Sequence, residues 1–137
     1  MASGIYSRFK ANLMNKVVDL EADSIYVSLY DSTHAFTAAD TDYTTTNELT
    51  TAGGYTRGAD ATNLLAGKAV TEGETTKFDA TDHAWADFTK SGIRHAVIWD
   101  ATAGNDLICS IDFGADQTVS AGTFTIQWHA NGIITLA

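Results

Sequence analysis

The sequence contains no proline, a single cysteine and only eight basic residues against seventeen acidic ones. Without proline, turns must rest on glycine, asparagine and aspartate, and eleven glycines are present. One cysteine excludes an intramolecular disulfide framework, and Cys109 lies in an apolar run, so we expect a buried, unreactive thiol. A net charge of −9 leaves no basic stripe for phosphate, so direct nucleic-acid binding is not expected.

Long apolar runs are absent as well, and the first residues lack the charged-then-apolar layout of a signal peptide. No membrane association is therefore predicted, and we expect synthesis and folding in a cytoplasm. Hydrophobic residues make up 45% and aromatic residues 10% of the chain, which is typical of folded proteins. The length of 137 residues predicts a single domain over residues 1–137.

The chain opens with an amphipathic pattern. Ile5, Phe9 and Leu13 recur at every fourth position, which places them on one face of a helix. Ser3 is positioned to cap this helix, so residues 1–20 are predicted to be an N-terminal helical segment. Because so short a helix is marginal alone, its apolar stripe must dock on the chain's own sheet or on a neighbouring subunit.

A strand and a long loop are predicted next. Residues 24–31 alternate apolar and polar side chains with a period of two, as a strand does. Residues 31–63 are rich in Asp, Thr, Ala, Gly and Asn and predict a long loop, with a short helical turn near residues 42–49. Gly53-Gly54 marks a break in this loop because glycine adopts positive φ at little cost.

The C-terminal half shows short apolar segments separated by turn residues. Residues 69–71 and 76–79 flank a turn at 72–74 and predict a hairpin, and Asn131-Gly132 is a second hairpin signal. This spacing favours a mainly β fold: an antiparallel β-sandwich or barrel-like domain with one N-terminal amphipathic helix. The further strands are predicted at residues 84–88, 94–99, 107–113, 117–120, 123–128 and 133–136.

No familiar catalytic or metal-binding motif is present. A phosphate-binding loop and a Gly-x-Ser-x-Gly nucleophile motif are both missing. Clustered aspartates lack the spacing of a calcium loop, so backbone capping is the simpler explanation. We therefore predict no catalytic residue, no cofactor and no metal. The residues considered are His34, His83, His95 and His129, which lack zinc-ligand spacing, and Asp40, Asp42, Asp79, Asp82 and Asp87.

Trp85, Trp99 and Trp128 are the three tryptophans. Exposed tryptophans can form a platform for carbohydrate, but these three lie in predicted strands. Core or sheet-face positions are therefore the first expectation.

Several segments, taken in order along nearly the whole chain, form a pattern. They are Tyr6-Ser7-Arg8-Phe9-Lys10, Leu13-Met14-Asn15-Lys16, Ile25-Tyr26-Val27-Ser28-Leu29-Tyr30, Asn47-Glu48, Gly53-Gly54-Tyr55, Leu65-Ala66-Gly67-Lys68-Ala69-Val70-Thr71, Phe78-Asp79-Ala80 with Trp85, Arg94-His95-Ala96-Val97-Ile98-Trp99-Asp100, Leu107-Ile108-Cys109-Ser110-Ile111-Asp112-Phe113-Gly114, Phe124-Thr125-Ile126-Gln127-Trp128 and Gly132-Ile133. No single segment is diagnostic. In their order and spacing they resemble small virion proteins of tailed bacteriophages, which are encoded among head genes.

The resemblance implies a virion component of the head decoration or cement type. Such proteins sit on the outer surface of the head, commonly as trimers, and lock neighbouring subunits of the major capsid protein. The expected partner is therefore the major capsid protein of the phage, and a homo-oligomer is expected, with a trimer favoured. Proteins of this type are not enzymes, and no functional residue is carried over from them.

Two parts of the chain are candidate contact regions: the stripe of the predicted helix and the aromatic anchors of the long loop. The alternative is that both cover the domain's own core. Alternative functions are a neck or tail-associated adaptor, a carbohydrate-binding virion protein and a small hydrolase, the last disfavoured because no activated nucleophile is evident. The candidate subunit or capsid contacts are Ile5, Phe9, Leu13, Phe36, Tyr43 and Tyr55.

Overall fold

Two antiparallel sheets make up most of the molecule in the computed structural model, which describes residues 3–137. The strand orders are β1-β6-β5-β2 and β3-β4-β7. The prediction of a mainly β fold with one N-terminal helix is confirmed, as two sheets and not as a closed barrel. The elements are β1 (Gly4–Ile5), α1 (Ser7–Met14), β2 (Ile25–Tyr30), a 3₁₀ helix (Ala61–Asn63), β3 (Ala69–Thr71), β4 (Thr76–Asp79), β5 (His83–Asp100), β6 (Asp106–Ile126) and β7 (Ile134–Leu136).

The N-terminal helix is shorter than the predicted segment over residues 1–20, of which residues 1–2 lie outside the described part. α1 begins after Tyr6, whose backbone is extended and whose side chain makes no capping hydrogen bond. The residues before it form β1 because they pair with β6. The predicted cap is therefore wrong, and the Ser3 hydroxyl instead accepts a hydrogen bond from the Asp112 amide at 2.9 Å.

α1 ends in a Schellman motif that has lysine where glycine is usual. Lys16 has a φ of 60°, in the left-handed region. Its amide donates to the Leu13 carbonyl at 3.3 Å, and the Val17 amide donates to the Asn12 carbonyl at 2.9 Å. These bonds satisfy two carbonyls of the last turn and redirect the chain across the small sheet.

The four-stranded sheet is buried on both faces. β2 lies where the alternation predicts a strand, and Ile25, Val27 and Leu29 enter the larger core. Cys109 lies in the same core as a free, buried thiol, as predicted. On the other face a smaller cluster is formed by Tyr6, Tyr30, Val97, Trp99 and Leu107.

One long hairpin replaces the short strands predicted between residues 84 and 128. β5 and β6 stay paired from His83 with Ile126 to Asp100 with Asp106, through several register shifts. Gly92, in a region predicted to interrupt the strands, has a φ of 68° inside this ribbon. A bulge and a turn share the same glycine signal, so the sequence pattern alone did not separate them.

The long loop contains no helical turn at residues 42–49, so that prediction is wrong. Asp42 and Glu48 form single β-bridges to β6 and β2, which keep the backbone extended. The 3₁₀ helix lies at the end of the loop instead. The predicted break is confirmed, since Gly53 and Gly54 both have positive φ, 61° and 91°.

The second sheet is small. The hairpin of β3 and β4 is confirmed, but β7 pairs with β4 and not with β6. Asn131-Gly132 is a turn, and it carries the chain from one sheet to the other. A Cβ atom on Gly132 would lie 2.7 Å from the Phe78 carbonyl oxygen, to which the Ile133 amide donates a hydrogen bond at 2.7 Å.

Candidate functional site

An apolar groove runs between α1 with its following segment and one face of the small sheet. Its volume is about 480 Å³. The pairing register puts Phe78 opposite both Val70 and Ile134, and Thr76 opposite Leu136, so these five side chains share one face.

Part of this face is left exposed. Phe78 and Ile134 are buried and form the floor, whereas Val70 is 41% and Leu136 55% exposed. Val17, on the opposite wall, is 50% exposed. Three of the large hydrophobic residues exposed in the described chain therefore lie around one groove. A cluster of this kind is typical of an interaction surface, whereas scattered single residues are not.

The opposite wall of the groove is built by α1 and residues 16–20. Phe9 and Leu13 project from the helix, and the chain after the Schellman motif brings Val17 and Leu20 alongside. Lys16 and Lys77 and a single carboxylate, that of Asp19, complete the charged part of the lining. The groove thus offers apolar area with a few charges at its rim.

Phe9 and Leu13, two of the six predicted contact residues, line this groove, whereas Ile5 does not. The prediction that Ile5 shares their helix face is wrong, because Ile5 lies in β1, paired with Cys109, before the helix begins. Phe9 is buried in the larger core, and Ile5 and Leu13 are partly buried against it. The helix stripe therefore covers the chain's own core and, at its edge, forms part of the groove wall.

Phe36 and Tyr43 lie elsewhere, on the opposite face of the four-stranded sheet. Both are partly buried against the smaller cluster. The Tyr43 ring stacks on Trp99 with centroids 4.1 Å apart, and the Phe36 ring lies 4.9 Å from that of Tyr6. These aromatic residues fasten the long loop to the sheet.

Tyr55 is buried in the larger core and belongs to a hydrogen-bond network around Glu48. The Tyr55 hydroxyl donates to the Glu48 carboxylate at 2.6 Å and accepts a bond from the Leu29 amide at 2.9 Å. The Tyr43 hydroxyl donates to the other carboxylate oxygen. Burial, and then the neighbouring Glu48 charge, raise the pKa of Tyr55 far above its ordinary value. The network connects the long loop to β2.

A second, more polar cavity of about 480 Å³ lies beside the smaller cluster, with Tyr30 and His34 in its lining. His34 Nε2 lies 3.2 Å from the Ser110 hydroxyl oxygen, but Ser110 is buried. Burial and then the nearby His95 lower the pKa of His34. Within residues 3–137, no carboxylate hydrogen bond orients the His34 ring, so this pair does not form a catalytic triad.

The tryptophans are buried, Trp85 and Trp99 deeply so. Trp85 Nε1 donates to Asn63 Oδ1 at 2.9 Å and Trp99 Nε1 donates to the Ser28 hydroxyl at 3.0 Å. Their ring faces pack on other aromatic residues. The exposed platform that a carbohydrate-binding role requires is therefore not present at Trp85 or Trp99.

Metal and membrane features are likewise missing from the described part of the chain. Residues 3–137 contain no group of three or more His, Cys, Asp or Glu side chains placed to hold a metal ion. Their one α-helix is too short to cross a bilayer.

Among the groove residues that sequence reasoning missed are the exposed strand residues Val70 and Leu136. Both lie in short strands that the pattern did predict, at residues 69–71 and 133–136. The two residues share a face because β7 pairs with β4. The Asn131-Gly132 hairpin pattern instead predicted that β7 pairs with the strand before it, β6. No local signal in the sequence distinguishes the two pairings.

Comparisons with protein-family models, curated proteins and solved structures found no match to this chain.

Proposed function

We propose that this chain is a structural component of a tailed-phage particle, of the head decoration type, and that the groove beside α1 contacts the major capsid protein. The order of sequence segments supports the virion role. The observation that carries the contact surface is the cluster of Val17, Val70 and Leu136, all half-exposed around one groove. Each side chain would lose its remaining water contact under a partner.

The energies fit a protein that acts in many copies. Covering three half-exposed aliphatic side chains contributes roughly 3 kcal/mol per site, since fully burying one such side chain contributes about 1.5–3 kcal/mol. One contact of that size is weak alone, but a capsid lattice repeats it at every equivalent position, and binding to the assembled shell stabilises it by mass action. No chemical step is required of the protein.

The first experiment measures co-sedimentation of the purified chain with phage heads that lack it and, separately, with isolated tails. We expect saturable binding to heads, abolished in a Val70→Asp/Leu136→Asp double variant. Binding to tails alone would move the protein to the neck or tail. Binding to heads that the double variant retains would contradict the assignment of the groove.

The matched control is Leu64→Asp. Leu64 is also an exposed large hydrophobic residue, but it does not line the groove. We expect this variant to bind heads like the unmodified chain. Circular dichroism of each variant checks that the fold is retained, as expected for a charge at an exposed position outside the core.

The second experiment measures the absolute mass in solution by light scattering after size exclusion. A trimer supports decoration at threefold positions of the lattice. A six- or twelve-membered ring would contradict head decoration and favour a neck or tail adaptor. A monomer that binds heads would mean that the chain assembles only on the shell.

A further inference from the structure

A buried carboxyl group at the end of β5 lacks a partner for one of its oxygens. Asp100 is 0% exposed. Its Oδ1 accepts hydrogen bonds from the Thr102 and Ala103 amides at 2.9 and 3.1 Å. Its Oδ2 is buried and has no hydrogen-bond donor among the described residues. An orphaned oxygen on a buried carboxylate costs free energy, so the structure requires a compensating group there.

The neighbouring group is a second carboxyl. Ile25 is paired with Asp100, the Ala101 amide donates to the Ser24 carbonyl at 3.0 Å, and the Ser24 amide donates to the Thr102 hydroxyl at 2.9 Å. These contacts hold Asp23 beside the end of β5, where its carboxyl group is the hydrogen-bonding neighbour of Asp100. Two carboxylates are acceptors only, so they form a hydrogen bond only when one of them carries a proton. Burial, and then the hydrogen bond with Asp23, raise the pKa of Asp100 to about 7.

The charged groups near the pair are Lys68, Asp19 and Asp106. The Lys68 ammonium donates to the Asp23 carbonyl. The Asp19 carboxylate is held by the amides of its own turn. Asp106, opposite Asp100 in the hairpin, accepts a hydrogen bond from the Asn12 side chain (Nδ2) at 2.7 Å and lies 3.6 Å from Arg8 Nη1. Asp19 and Asp106 thus have donors of their own, and Lys68 contacts the backbone of Asp23.

Asp23 also fixes the turn that continues the groove wall. The Asp19 amide donates to Asp23 Oδ2 at 3.0 Å, and the Asp23 amide donates to the Asp19 carbonyl at 2.9 Å. Val17, Asp19 and Leu20 line the groove. The position of this wall therefore depends on where Asp23 is held.

We propose that Asp23 and Asp100 share one proton, and that this shared proton fastens the groove wall of residues 17–23 to the end of β5. When the pH rises, the proton passes to solvent and two negative charges face each other in a buried site. The turn then separates from β5, and the groove opens on its helix side. The inference concerns the chain alone and does not depend on the virion role.

The sign of the effect follows from linkage. The folded state holds this proton more tightly than the unfolded chain, in which aspartate has its ordinary pKa of 3.8. The stabilisation is therefore complete below that pKa, falls as the pH rises towards about 7, and is constant above it.

The test is amide hydrogen exchange of residues 19–24 in the full chain, measured from pH 5 to pH 8 and corrected for intrinsic exchange rates. We expect protection factors to fall by about tenfold per pH unit up to neutrality, as release of one proton requires. In Asp100→Asn the amide group donates to Asp23 permanently, so protection should become independent of pH. A retained slope in this variant would overturn the proposal.

Two further variants keep the test decisive. Asp23→Asn offers the same donor from the other side, and it must also remove the slope if Asp100→Asn does not fold. Glu21→Gln removes a negative charge from the same turn without touching Asp100, and its slope should match that of the unmodified chain. Recovery of protection at pH 8 on adding calcium would mean that a cation, and not a proton, bridges the pair, which would also overturn the proposal.

Discussion

The long loop of residues 31–63 and the groove wall of residues 16–23 both cover a sheet, but by different means. The loop is fixed by buried polar groups: Glu48 holds two tyrosine hydroxyls, and Asn63 donates to two loop carbonyls while accepting from Trp85. The groove wall rests on aliphatic side chains, a helix end and one carboxyl pair.

Because of this difference, the long loop is a rigid cover and the groove wall is an adaptable one. Buried hydrogen bonds accept only one geometry, because any shift leaves a polar group without a partner. Aliphatic contacts lose little when they slide, so the wall beside α1 can adjust to a partner while the loop keeps the body fixed. A long loop would by itself suggest mobility, but in this molecule the loop is the more firmly bonded of the two.

The largest loss of stability is expected for a substitution of Glu48. Glu48→Ala leaves the hydroxyls of Tyr43 and Tyr55 without their acceptor inside the fold, and each orphaned group costs about 1–3 kcal/mol. We expect the free energy of unfolding to fall by about 4 kcal/mol in urea titrations. Glu48→Gln keeps one acceptor oxygen and should lose less than half as much. Equal losses in both variants would contradict the role given to the hydrogen bonds.

Substitutions on the floor and at the rim of the groove should differ sharply in their effect on the free energy of unfolding. Phe78→Ala removes a buried ring between the sheets and should cost about 3 kcal/mol of unfolding free energy. Leu136→Ala removes a half-exposed side chain at the rim and should change stability by less than about 0.5 kcal/mol. Thermal unfolding of the two variants measures the contrast. A large loss for Leu136→Ala would mean that the rim belongs to the core.

A smaller change in stability, one that depends on pH, is expected at His83, which contacts the long loop through Thr62. Burial lowers the pKa of His83, whose Nε2 donates to the Thr62 carbonyl at 2.7 Å. The folded state therefore favours the neutral ring: the stabilisation is complete above the ordinary pKa of 6.5 and is lost as the pH falls from there towards the lowered pKa of the folded state.

His83→Gln tests this linkage, because the glutamine amide can donate to the same carbonyl without titrating. We expect urea midpoints of the unmodified chain to drop between pH 7 and pH 5 more steeply than those of the variant. The contribution of Asp100 has the opposite sign and is common to both proteins, so it cancels in the difference. Parallel pH profiles would mean that His83 titrates normally.

The smallest change in the free energy of unfolding, and the only increase, is expected for a substitution of Lys16. Its φ of 60° suits glycine. Lys16→Gly should therefore raise the free energy of unfolding by about 0.5 kcal/mol, because the strain of the helix end is relieved. Asn15→Gly is the control, since Asn15 has a φ of −93° and should lose stability instead.

Local features of this fold were predictable and distant ones were not. The alternation of β2, the burial of Cys109 and the positive φ of Gly53 each follow from a few neighbouring residues. The Glu48 network and the Asp23–Asp100 pair depend on contacts across the chain that no spacing reveals. The helix pattern predicted Phe9 and Leu13 but not the strand residues opposite them, because the chain passes to the other sheet after β6 and β7 pairs with β4 there.

The pairing of β1 with β6 has a kinetic consequence. Gly4 and Ile5 find their partners at Ser110 and Cys109, more than a hundred residues later in the chain. Contacts of such high sequence separation slow folding, because a long loop must close before they form. On a ribosome, the first strand waits, unpaired, until its partner residues more than a hundred positions later have emerged, so the four-stranded sheet is completed late in folding.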